Sequence, residues 1–102
     1  MARSLFYRRR FLNRRGHHAG AYVVADVELA RSSREDKPHI YADLTIADCN
    51  RVASLDFSVT QDRSVTNVLH KARLLKDVLD GFVVALETAI EERENSPRDP
   101  VG

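Results

Sequence analysis

The first twenty residues contain no acidic side chain, although the chain as a whole has fifteen Asp or Glu. They hold six arginines, Arg3, Arg8, Arg9, Arg10, Arg14 and Arg15, for a local charge of +6. The remainder has ten Lys or Arg against fifteen acids, which is −5, so the formal net charge of +1 hides a strong polarity. An asymmetry of this kind indicates a basic arm for an anionic partner, or pairing between the two parts of the chain. Cysteine is nearly absent too. Cys49 is the only one, which excludes an intrachain disulfide and suits a reducing, cytoplasmic setting. Long apolar runs are missing: the longest, Phe82-Val83-Val84-Ala85-Leu86, falls far short of the roughly 18 residues that a membrane span requires. No membrane association is expected.

Other absences exclude chemistry. Gly16 and Gly20 do not fit a phosphate-cradling G-x-x-x-x-G-K loop. No Ser/His/Asp order suggests a nucleophilic triad, and Cys49, next to Asp48, is poorly placed to become a thiolate nucleophile. His17-His18, His39 and Cys49 stand at no recognised zinc spacing. His70 reads as a rim residue of a helix. The expectation is a non-enzymatic protein without a metal or other cofactor. An export signal is not expected either. Arg8 to Asn13, "RRRFLN", resembles a twin-arginine core, but the segment after it carries His17, His18, Asp26 and Glu28 where such a signal is uncharged.

At 102 residues the chain is of single-domain length. Its hydrophobic and charged fractions, 43% and 30%, are those of a globular domain. From Ala21 to Thr60 the apolar pattern has period two. Val23, Ala25, Val27 and Leu29 share one face of a strand, as do Ile40, Ala42, Leu44 and Ile46, and then Ala53, Leu55, Phe57 and Val59. Leu5 to Asn13 is a further strand whose two faces both mix arginine with apolar residues. Arg31 to Pro38 is a polar connection. A two-residue turn at Cys49-Asn50 pairs positions whose numbers add to 99, so that Ile46 meets Ala53, Leu44 meets Leu55, Ala42 meets Phe57 and Ile40 meets Val59. A slip of one residue would turn one of those faces away from the other.

From Val65 to Glu94 the spacing becomes helical. Val68, Ala72, Leu75, Leu79, Phe82, Leu86 and Ala89 form a heptad-like seam that Leu69, Val83 and Ile90 widen. Ser64 or Asp62 can cap its start, and Asn95-Ser96-Pro97 ends it. Gly81, a costly residue inside a helix, suggests close packing there. Thirty helical residues span about 45 Å, more than a strand of ten residues at about 33 Å. The apolar stripe therefore calls for a second copy, with Leu75, Leu79, Phe82 and Leu86 at a homodimer interface. The fold expected is α+β: a four-stranded antiparallel β-meander followed by one long C-terminal helix packed on the sheet. It forms a single domain over residues 1–95, with a disordered tail over 96–102.

Two constellations could carry function. Positions adding to 99 set Asp43 opposite Asp56, and if the second and third strands pair at 69, Asp26 joins the row. Like charges facing one another are unfavourable. Three readings answer that: a divalent cation, with metal-dependent hydrolysis behind it; arginines from the first strand, with Arg8 opposite Asp26 if those strands pair at 34; or a solvated acidic face. The second constellation is the Arg-rich stretch. Arginine's planar fork suits phosphate, so Arg8, Arg9, Arg10, Arg14 and Arg15 are candidate phosphate contacts. His17 and His18 join them at a loop tip, and Tyr7 and Phe11, with Phe6, are placed to stack on bases.

The order of four antiparallel strands and a long helix, over Leu5 to Glu94, resembles that of single-stranded-DNA-binding transcription coactivator and Whirly-type domains. That resemblance implies helix-mediated oligomerisation and single-strand binding by basic and aromatic residues on strands. The first functional expectation, carried by the Arg-rich stretch, is a small non-enzymatic nucleic-acid-binding protein, and single strands are what the resemblance implies. The alternative is a protein-interaction or regulatory module working through the helix and the acidic sheet face.

Overall fold

The computed structural model describes residues 2–31, 37–60 and 65–97. Four strands, β1 (Ala2–Phe11), β2 (Ala21–Ala30), β3 (His39–Asp48) and β4 (Arg51–Asp56), precede one helix, α1 (Val65–Asn95). The strands lie in sequence order in one sheet, each antiparallel to the next. The α+β class and the meander are those that the residue pattern predicts. The chain divides into two compact units, Met1–Leu69 and His70–Gly102.

The β3–β4 hairpin has the expected register: Asp48 pairs with Arg51, Ile46 with Ala53, and Leu44 with Leu55. Beyond β4 the same register continues irregularly. Phe57 N–H donates to the Ala42 carbonyl at 2.8 Å, and Ile40 and Val59 exchange both backbone bonds. Between them the Ser58 hydroxyl accepts the Ala42 N–H at 3.1 Å, replacing a ladder acceptor. The turn itself is made by Cys49 at φ 56°. A positive φ at the first turn residue but not the second is the pattern of a type II′ hairpin, which normally uses glycine there. Matched apolar faces have overridden poor turn chemistry.

β2 and β3 pair at positions adding to 69, which puts Asp26 opposite Asp43. The first strand differs from expectation. It begins at Ala2 rather than Leu5 and ends at Phe11 rather than Asn13. An irregularity at Leu5 shifts its register, so that Ala2 faces Ala30 but Tyr7 faces Asp26. Arg8 therefore lies opposite Ala25, not Asp26. One residue of slip reverses the face of every side chain beyond it, which places Arg8 and Arg10 on the face of Val23 and Ala25. Tyr7, Arg9 and Phe11 occupy the face of the aspartates. The expectation that Arg8 neutralises Asp26 is thereby corrected. The pattern of β1 could not prevent the slip, because neither of its faces is purely apolar.

Burial within the described residues is slight. Ala21, Ala42, Ala47 and Phe57 are the buried apolar residues, and β2 is half-buried along its length after Ala21. Every residue of β1 is exposed, as an edge strand allows.

α1 is 31 residues long, about 46 Å, and contains the expected seam. Its proposed caps, Asp62 and Ser64, lie outside the described residues, as do residues 32–36 of the polar connection and residues 98–102 of the tail. At its end the Ser96 hydroxyl donates to the Glu92 carbonyl at 2.7 Å, and Pro97 follows. A Cβ added at Gly81 would meet nothing within 4 Å among the described residues. No residue of α1 is buried.

Candidate functional site

On β1 the alternation of basic and aromatic residues creates local pairs. The Arg8 guanidinium lies 5.5 Å from the Phe6 ring centroid, one pleat away on the same face. That of Arg9 lies 5.7 Å from Phe11 and 5.8 Å from Tyr22, the residue paired with Phe11 on β2. Such cation–π contacts hold a guanidinium flat while leaving its N–H donors open. Tyr7 and Phe11 remain 62% and 60% exposed. Among the described residues, none of Arg8, Arg9, Arg10, Arg14 and Arg15 takes part in a salt bridge. The predicted basic set is thus exposed, but divided over the two faces of an edge strand.

The loop from Leu12 to Gly20 carries the rest of that set. A turn closes with His17 N–H donating to the Arg14 carbonyl at 3.1 Å, and Gly16 takes φ 96°, a left-handed conformation suited to glycine. Arg14, Arg15 and His17 are exposed on this turn. His18, although also exposed, is held. The Asn13 side-chain amide donates to the His18 carbonyl at 3.0 Å and lies 3.1 Å from Nε2, while Gly20 N–H points at Nδ1 from 3.3 Å.

The same loop meets the β3–β4 turn. Cys49 N–H donates to the Gly20 carbonyl at 2.8 Å. A Cβ at Gly20 would come within 3.2 Å of the Cys49 Cα and 3.3 Å of His18 Nδ1, so a side chain there would press on both neighbours. Cys49 Sγ lies 3.9 Å from His18 Nδ1. With Asp48 they form a group whose ligand atoms all lie within 4.8 Å of one another. Sequence reasoning set His17-His18 aside as turn histidines and passed over this group. Extending the β2–β3 register by one position brings Gly20 to Cys49, but only the conformation of the loop turns His18, two residues earlier, toward the thiol.

The aspartate row forms as the two registers require. Asp26 faces Asp43, and Asp43 faces Asp56, with Tyr7 next in line on β1. The Asp56 carboxylate accepts the Ser58 N–H at 2.8 Å. Among the described residues the row does not form a group close enough to share an ion; His18, Asp48 and Cys49 do. His39, at the far end of β3 from Cys49, lies edge-on to Tyr41 at 6.2 Å. His70 is exposed on α1. On that helix Leu75 is half-buried, and Leu79, Phe82 and Leu86 are 46%, 61% and 48% exposed.

Compared with known proteins, the chain matches no family model, no curated protein and no solved structure. The class that the described residues define is a four-stranded antiparallel meander followed by a helix. Among them no helix is long and apolar enough to cross a membrane.

Proposed function

We propose that the chain is a small non-enzymatic nucleic-acid-binding protein whose contact surface is β1 and the loop after it. One observation carries this reading: five exposed arginines have no acidic partner among the described residues, and two of them lie over exposed aromatic rings. Arg8, Arg9, Arg10, Arg14 and Arg15 neutralise phosphates, Tyr7 and Phe11 offer stacking faces, and His17 borders the loop. The fixed ring of His18 orders that loop. An edge strand presents both its faces, which suits a flexible single strand that can fold around it better than a rigid duplex.

Binding of this kind releases counterions. Five phosphate contacts give a slope of log affinity against log salt of about −3.5 for single strands and about −4.5 for duplex DNA. Fluorescence anisotropy with short labelled single- and double-stranded DNA and RNA at several salt concentrations measures it. Replacing Arg8, Arg9, Arg10, Arg14 and Arg15 by Ala in a folded variant abolishes binding if the reading is right. Equal binding by that variant refutes it.

A second reading is favoured by α1. A 31-residue helix with a continuous apolar seam and no buried residue supports a protein-contact role, most simply a homodimer joined through Leu75, Leu79, Phe82 and Leu86. The two readings are compatible.

A further inference from the structure

We infer that His18, Asp48 and Cys49 form a binding site for a zinc-class divalent cation, which ties the loop after β1 to the β3–β4 turn. The donors are an imidazole nitrogen, a carboxylate oxygen and a thiolate sulfur. This set suits zinc and cobalt, whereas magnesium and calcium take oxygen ligands. Zinc binds sulfur at about 2.3 Å and histidine nitrogen at about 2.0–2.1 Å, so two such ligands on a tetrahedral ion stand about 3.6 Å apart. Cys49 Sγ and His18 Nδ1 are 3.9 Å apart without an ion. All three ligand atoms lie within 4.8 Å, so small side-chain rotations complete the set, and water takes the fourth position.

The backbone holds these ligands in place. Neighbouring residues on a strand point to opposite sides, which would separate Asp48 from Cys49. Cys49 has left the strand for the left-handed region at φ 56°, and that turn lets consecutive side chains converge on His18. The 2.8 Å bond from Cys49 N–H to the Gly20 carbonyl fixes the distance between the two loops. Gly20 N–H stands 3.3 Å from Nδ1, a long contact that a cation on the Nδ1 lone pair replaces. Asn13 Nδ2, 3.0 Å from the His18 carbonyl and 3.1 Å from Nε2, positions the residue from its other side. Such a second contact orients a ligating histidine.

The site shares the loop after β1 with the proposed nucleic-acid surface, and its test reads metal binding alone. The reduced, metal-free full chain is titrated with cobalt(II), then with zinc(II) in competition. One equivalent of cobalt produces thiolate-to-metal charge-transfer and tetrahedral ligand-field absorption, and zinc bleaches both. Cys49→Ser removes the charge-transfer band. His18→Ala weakens binding by about tenfold or more, and Asn13→Ala weakens it by about tenfold. His17→Ala and His39→Ala bind as the parent does, and circular dichroism of every variant matches the parent. Absence of a thiolate band at millimolar cobalt overturns the proposal. So does a band unchanged in His18→Ala, or one metal shared by two chains through their Cys49 thiolates.

Discussion

Asp43 stands between two other aspartates, Asp26 on one neighbouring strand and Asp56 on the other. The β1 register gives this row Tyr7 rather than an arginine. Directly opposed like charges cost roughly 0.2–1 kcal/mol per pair, so Asp43→Asn should stabilise the sheet by up to about 1 kcal/mol. The gain should shrink as salt screens the parent. Thermal melts at low and high ionic strength check both statements. A lower melting temperature for the variant would overturn the repulsion argument. The Asp43–Asp56 pair was legible in the sequence because the apolar partners across the hairpin favour one register, whereas Asp26 joins it only if the second and third strands pair at 69. Arg8 was not legible, because Leu5 adds a residue to β1 and the mixed faces of that strand carry no penalty for the slip.

At the scale of the element, α1 was legible almost to its ends, since its apolar spacing persists from Val65 to Ile90 and Pro97 stops it. Gly81 has no packing neighbour within this chain among the described residues. Its missing Cβ faces open space, so Gly81→Ala should stabilise the helix by about 1 kcal/mol through lower backbone entropy in the unfolded chain. A rise in melting temperature with unchanged oligomeric state is the expected result. A fall would show that another molecule approaches the helix there. Elsewhere on α1, Lys76 donates to Asp80 at 2.9 Å. That hydrogen bond, with the charge of Asp80, raises the ammonium above the ordinary lysine value of 10.5. The contribution linked to the Lys76 titration is complete at neutral pH and is lost as pH rises through the raised value. At full exposure it is screened. In β1 the exposed arginines have a further consequence: charge along an edge strand opposes pairing with another sheet, so the alanine variant used to test nucleic-acid binding should also aggregate more readily.

For the whole molecule, the relevant quantity is apolar surface. The buried apolar residues among those described are three alanines and Phe57, while Leu69, Leu79, Phe82, Val83, Leu86 and Ile90 along α1 are about half exposed. Contiguous apolar surface of this kind supports a contact with another molecule, here the proposed second copy. The proposed homodimer is measured by sedimentation equilibrium across a range of concentrations. Leu79→Asp with Phe82→Asp should convert dimer to monomer and reduce the helical signal, because a long helix in water draws most of its stability from packing. A parent chain that is monomeric at every concentration would leave α1 for a different partner. Monomeric behaviour would not affect the arginines, whose test is separate.

What the sequence by itself determined were properties of repeating patterns: period two from Ala21 to Thr60, helical spacing in the last third, the pairing around Cys49-Asn50, and the charge polarity of the first twenty residues. Each is encoded locally or between neighbours in the chain, where a hydrophobic face leaves one arrangement favoured. Tertiary structure alone decided the register of β1 and the meeting of His18 with Cys49. Both depend on contacts between distant residues that no periodicity specifies: an irregularity at Leu5, a glycine at position 20 that admits close approach, and a turn that takes Cys49 out of strand geometry.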